Sequence, residues 1–231
     1  MKSNLMNSSS HCYSRGIIGV LLCMLPWVSY AETTALTTSE TTAVTQVADP
    51  AAVMKVAIDD VLTQLKNHET LYKDNPQQLR VMVANTVLPH FNVARIAQLA
   101  LAQHWRNASA QQREMYVREF QRYLIRTYTE TLYIYRNTKP EMLGAHYNDK
   151  DSHKATLKLR ATNEKGEPVR LFLRLELKDD NWKVVDINVE GVSLVITTRG
   201  VFDEEIKKVG LDAFLSNLAE KNNRAEGSAD E

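Results

Sequence analysis

Thiols are almost missing from this chain: among 231 residues the only cysteines are Cys12 and Cys23. Both fall in an N-terminal stretch, residues 1–31, that reads as a cleaved export signal, so the mature chain has no disulfide and no thiol nucleophile. An exported protein of that kind is held together by its core alone. An excess of either charge is missing as well. There are 28 basic and 28 acidic residues, and loss of Lys2 and Arg15 with the signal takes the basic count to 26. A near-neutral exported chain has no electrostatic reason to bind nucleic acid. Glycine is sparse, with 8 residues, and there is neither a glycine-rich phosphate loop nor a G-x-S-x-G turn. The mature histidines, His68, His90, His104, His146 and His153, never pair at i+3 or i+4, and H-E-x-x-H is absent. No metal or cofactor is expected.

Long apolar runs are missing too. The one from Gly16 to Trp27 covers about 12 residues, where a membrane span needs roughly 20. Lys2, His11 and Arg15 precede it, Pro26 breaks it, and Ser29-Tyr30-Ala31 puts small residues where a signal peptidase reads. Cys23 raises the option of a lipoprotein, but Leu22 before it is bulky where that processing wants a small residue. Residues 32–49 are threonine-rich and offer little to bury, as in a flexible tether. The polar stretch 221–231 reads as a loose tail. The folded body is then residues 50–220, about 170 residues and long enough for a real core.

The first half of that body has helical periodicity. Asp49-Pro50 is a cap followed by a proline at the first helical position, after which Met54, Ile58, Val61, Leu62 and Leu65 share a face. Asn75-Pro76 repeats the device ahead of Leu79, Val83 and Val87, and Pro89 stops that helix. Asn92 caps a third segment. Ser109 with Gln112 forms a capping box for the longest helix, whose stripe is Val117, Phe120, Leu124, Tyr128, Leu132 and Tyr135.

The second half alternates with period two. Ala155, Leu157 and Leu159, then Val169, Leu171, Leu173, Leu175 and Leu177, then Val185, Ile187 and Val189 form the apolar face. Met142 to Tyr147 supplies a fourth strand. Short turns make the strands antiparallel, and one wet face leaves the other for the helices. The fold class expected is α+β: helices packed on one face of a curved antiparallel sheet of about four strands, enclosing an apolar cavity. Two short helices close the chain, the first with Asp203, Glu204 and Glu205 early and Lys207 and Lys208 late, ended by Gly210.

Few polar residues invite chemistry. Asp186 sits on a strand, but alternation places it with Val184 and Asn188 on the solvent side. Arg118, Arg122 and Arg126 form an i, i+4, i+8 stripe, either a solvated face supported by Glu114 or a docking surface for an anionic membrane or an acidic partner. Trp105, near a helix end, reads as a packing anchor.

The stretch from Ala94-Arg95 to Tyr128, with His104-Trp105-Arg106 and Leu124-Ile125-Arg126-Thr127-Tyr128, resembles the MlaC (toluene-tolerance, ABC-transporter auxiliary) family. So do Trp182-Lys183-Val184-Val185-Asp186, Glu190-Gly191-Val192-Ser193-Leu194-Val195, and Arg199, Phe202, Ile206, Gly210 and Leu215. The resemblance spans residues 50–220. It departs where the family tends to have Phe-Asp (here Phe91-Asn92), where a tyrosine often precedes the arginine (here Thr198), and where an aromatic is frequent (here Val185, which would enlarge a cavity).

The resemblance implies a periplasmic phospholipid carrier and not an enzyme. Its partners would be an inner-membrane ABC transporter complex (MlaFEDB-like) and an outer-membrane lipoprotein complex (MlaA-like), and its role the maintenance of outer-membrane lipid asymmetry. The inward pattern nominates as cavity wall Leu124, Tyr128, Leu132, Leu157, Leu159, Leu171, Leu173, Leu175, Val185, Ile187 and Val192, with Gly144 and Gly191 as points of opening. Two other classes stay open on the residues alone. One is an isomerase or lipid hydrolase using the same pocket, for which no buried acid–base pair is found. The other is a structural partner of the transporter with a filled core.

Overall fold

Four of the helix starts in the first half are set by a side-chain cap. Asp49 accepts from the Ala52 N–H at 3.0 Å, and Pro50 opens α1 (Pro50–Asn67). Asn75 caps α3 (Pro76–Met82), and Asn92 caps α4 (Val93–Leu101). Ser109 and Gln112 form the reciprocal capping box of α6 (Ala110–Ile134). Between these lie α2 (Glu69–Asp74) and α5 (Gln103–Asn107). Ala102, at φ 51°, breaks the chain between α4 and α5. The third helix passes into a π turn, Val83–Val87, and then a 3₁₀ turn, Leu88–His90, that contains Pro89. The structure, a computed structural model, describes residues 48–148, 153–163 and 165–227. The expected signal and most of the expected tether lie outside them. All described residues belong to one compact unit, residues 45–231.

The alternating segments form an antiparallel meander in the order β1 (Glu141–Tyr147), β2 (Lys154–Thr162), β3 (Pro168–Lys178), β4 (Asn181–Val189) and β5 (Val192–Ser193). The fifth strand is a two-residue addition to the four expected. Register is regular from β2 to β3, with Leu157 opposite Leu173 and Leu159 opposite Leu171. It slips once between β3 and β4: Arg174 pairs with Asp186 but Leu175 pairs with Val184, leaving Val185 as the extra residue of a bulge. Before the slip the expected phase is inverted, and Val184 takes the inward place intended for Val185; after it Ile187 and Val189 face inward as expected. Asp186 is buried at 3 % exposure and not solvent-exposed as expected, because Ser193 and the start of the following helix cover it. A second irregularity falls in β1 next to Gly144, at φ 104°. The outer edge of β4 is covered by Phe91–Asn92, whose Asn92 N–H donates to the Val184 carbonyl at 3.0 Å.

Helix α1 lies on the sheet through Met54, which packs with Leu157, Leu175, Trp182 and Val184. The Trp182 indole donates to the Ala48 carbonyl at 2.8 Å. The closing helices differ from expectation at both ends. Ser193 caps α7 (Leu194–Val209), so Asp203 is in its interior and not in its first turn. Then α8 (Leu211–Gly227) runs past Glu220, and residues 221–227, expected to be loose, are helical with Asn222 fully buried. Helices α4, α6, α7 and α8 share a core of rings: Tyr116, Phe120, Phe202 and Phe214. Trp105 is half-buried against it, under the Arg113 guanidinium at 5.3 Å.

Candidate ligand-binding cleft

Between the sheet and the helices is a cleft of about 440 Å³, within the ordinary range of small-molecule sites. Its floor is the apolar face of three strands: Leu159 and Ala161 from β2, Val169, Leu171 and Leu173 from β3, and Val184, Ile187 and Val189 from β4. Period-two alternation brings these side chains to one side of the sheet. One wall is α1, with Met54, Ala57, Ile58, Val61 and Leu62 on the face that 3.6-residue periodicity creates. The opposite wall is α6, with Phe120, Leu124, Tyr128 and Leu132 at i+4 steps. The segment Val87–Phe91 and the start of α7, with Leu194, Val195 and Thr198, close the remaining sides.

The lining is almost free of charge. Among the described residues it includes no aspartate, glutamate, lysine, arginine or cysteine. His90 is its one group that titrates near neutrality, and burial, followed by the nearby Lys183, lowers its pKa. Its imidazole is therefore neutral at pH 7. Burial, reinforced by Tyr123, raises the pKa of the Tyr128 phenol, and hydrogen bonds with Thr198 and Tyr123 act in opposite directions. Both polar groups are thus uncharged under ordinary conditions. An apolar, uncharged concavity can bury hydrocarbon, but it offers no paired acid and base for proton transfer.

The carboxylate that sequence placed on the surface does structural work beside the cleft. Asp186 accepts from the Ser193 hydroxyl at 2.7 Å and from the Val195 N–H at 3.2 Å. A negative group on the first turn of a helix is favourable on both hydrogen-bonding and dipole grounds. The pair ties β4 to the start of α7, the turn that presents Leu194, Val195 and Thr198 to the cleft. Arg174 lies 3.7 Å from the same carboxylate.

Of the residues nominated from the inward pattern, Leu124, Tyr128, Leu132, Leu159, Leu171, Leu173 and Ile187 line the cleft. Leu157 and Leu175 do not; they are fully buried in the cluster beneath Met54. Val185 does not either, because the bulge takes it out of phase, so the larger cavity inferred from a valine there has no basis. Val192 lies beyond the Gly191 turn and is 58 % exposed. The pattern missed the α1 wall, the Val87–Phe91 segment and the α7 turn. The α1 face was legible as apolar, but periodicity does not say whether such a face meets side chains or space. Thr198, noted as a departure, lines the cleft where it meets Tyr128.

Comparison with known proteins bears on this geometry. A family model described as MlaC protein matches residues 55–220. The chain is 24% identical over 172 residues to the intermembrane phospholipid transport system binding protein MlaC of Haemophilus influenzae, covering 73% of this chain and 80% of that protein. It is also similar to a solved structure, the phospholipid-binding protein of Ralstonia solanacearum in complex with a phospholipid. There the TM-score is 0.68 and the identity 30%, over 78% of this chain and 99% of the other.

Proposed function

This chain belongs to the MlaC family, and on that premise we propose that it is a phospholipid carrier working between two membranes, with acyl chains held in the cleft of α1, α6, α7 and the sheet. The observation that carries the reading is the uncharged lining of that cleft, in a fold shared with a relative described in complex with a phospholipid. Transfer of a CH₂ group out of water is worth about 0.8 kcal/mol. Two acyl chains hold roughly 30 such groups, which sums beyond the roughly 20 kcal/mol ceiling of non-covalent affinity. The meaningful reference is a bilayer, which also hides the tails. Exchange between bilayer and cleft is then near balance while escape to water is strongly opposed, which is the thermodynamic condition for a shuttle. The cleft needs no catalytic group to meet it.

The same reading places the protein in the periplasm, between an inner-membrane ABC transporter complex and an outer-membrane lipoprotein complex, in maintenance of outer-membrane asymmetry. The relatives' names as lipid-binding and transport proteins and the lack of ionised groups in the cleft support a carrier over an isomerase or lipid hydrolase. The test is extraction. Delipidated protein is mixed with vesicles carrying a labelled phospholipid, separated from them and counted. Label travelling with the protein is the expected result; label confined to the vesicles would overturn the reading.

A further inference from the structure

A second pocket of about 160 Å³ lies between α3, α6 and α8 and shares no lining residue with the cleft. Val81, Ala84 and Ile125 give it apolar walls, and three guanidinium groups, Arg80, Arg122 and Arg126, converge on it with a single carboxylate, Glu226. Arg122 is already spent. It bonds Glu226 at 2.6 Å, Glu119 at 2.8 Å and Asn223 at 2.7 Å, so it is shared between two carboxylates, and Arg118 lies 3.7 Å from Glu119.

Arg80 and Arg126 are different. Each is half-buried, and among the described residues neither has a carboxylate within 4.0 Å. Arg80 makes only long contacts through Nη1, to the Ala225 carbonyl at 3.3 Å and to Gln77 at 3.4 Å. Arg126 rests over the Tyr123 ring at 5.7 Å. Glu226 attracts Arg80 from beyond ion-pair distance, but its oxygens are already bonded to Arg122, so two partly dehydrated guanidiniums facing one small pocket keep donors free for an oxyanion, whose oxygens they bridge as bidentate donors.

An independent observation adds a second requirement. Asn222 lines the same pocket and is 1 % exposed. Its Nδ2 donates to the Glu119 carbonyl and carboxylate, both at 3.0 Å, which fixes the orientation of the amide. Its Oδ1 is then a buried acceptor with no donor, an arrangement native proteins rarely leave unanswered. An N–H or O–H donor seated in the pocket, with Glu226 on the same wall, would satisfy it.

We propose that this pocket binds a phosphate ester carrying a neighbouring ammonium or hydroxyl group, the chemistry of phosphoethanolamine or glycerophosphate, with Arg80 and Arg126 on the phosphate and Asn222 on the donor. Such a group comes either from a small soluble ester or from a lipid headgroup at a membrane surface. The site is distinct from the acyl-chain cleft and stands whether or not the carrier reading does.

The test has two arms, on the whole exported chain. Phosphoethanolamine and glycerol 3-phosphate are titrated by calorimetry, and flotation is measured with phosphatidylethanolamine vesicles. Saturable binding of a soluble ester, weakened at least tenfold in Arg80→Gln/Arg126→Gln, assigns a free ligand. Flotation that depends on the same arginines, without soluble binding, assigns a lipid-borne one. Lipid held in the cleft stays unchanged in the variant. If the double variant melts early, Arg126→Glu alone replaces it, with the same loss expected. No binding in either arm, or binding indifferent to these substitutions, overturns the proposal.

Discussion

At the four-helix end, Tyr116, Phe120, Phe202 and Phe214 meet ring to ring, with centroids 4.9 Å apart for Phe202 and Phe214 and 5.5 Å for Tyr116 and Phe120. At the sheet end, α1 touches the strands through Met54, and beyond that contact Ala57, Ile58, Val61 and Leu62 face the strands across open space. Both regions are apolar and both pack helices onto a neighbour. What differs is reach. Aromatic rings bridge the gap between helices and fill it, whereas aliphatic side chains on a sheet stop short of the helix opposite. Phe120 stands at the boundary, in the filled core and on the wall of the cleft. The lesson is that a cleft can be opened by shorter side chains on the strands and on α1, with no special motif.

The sharpest way to break this contrast is truncation. Phe214→Ala, in the filled core, is expected to cost about 3–5 kcal/mol in denaturant unfolding, since it opens a cavity that close packing cannot repair. Asp186→Ala comes next. It strands the Ser193 hydroxyl and the Val195 N–H, for an expected loss of about 1–3 kcal/mol, and loosens the α7 turn enough to raise amide exchange at Val195. Leu171→Ala, on the cleft floor and only half-buried, is expected to cost about 1 kcal/mol, below the range for a fully buried leucine, because the atoms removed already border open space; a loss equal to that of Phe214→Ala would erase the distinction between the two regions.

The smallest effect concerns pH. The His90 pKa is lowered from 6.5, so above 6.5 the group is neutral in both folded and unfolded chains and contributes its full share of stability. As pH falls through 6.5 toward the lowered value, the unfolded chain binds a proton that the folded one resists, and stability declines. His90→Gln is expected to flatten the slope of unfolding free energy in that window, measured by urea titration at successive pH values. An unchanged slope would remove His90 from the account.

Much of this architecture could be read in advance, for physical reasons that are local. The caps at Asp49, Asn75, Asn92 and Ser109 satisfy backbone groups within three residues of themselves, and the alternation of β2 and β3 depends only on the pleat. Most of what escaped notice depends on distant partners. The bulge at Val185 follows from how β4 pairs with β3, and the burial of Asp186 follows from the Ser193 hydroxyl and Val195 N–H that come to rest on it. The start of α7 at Ser193 rests on the same local device as the other caps, the Ile196 N–H donating to the Ser193 hydroxyl at 3.1 Å, and it was missed because the run before it reads as strand. Helix α8 continues beyond Glu220 because Asn222 finds Glu119, about a hundred residues earlier in the chain. For the cleft, the inward faces of β3 and α6 were visible as stripes. Which members of a stripe meet space, as Leu173 does, and which meet Met54 or its neighbours, as Leu157 and Leu175 do, is a property of the assembled layers.

The central claim is that the sheet end holds lipid where the helical end holds rings. Mass spectrometry of a solvent extract of the purified protein, with Leu173→Arg prepared in parallel, tests it most directly. The account predicts phospholipid released from the unsubstituted protein and none from the variant. An extract without lipid from the first, or lipid retained by a folded Leu173→Arg protein, would contradict it.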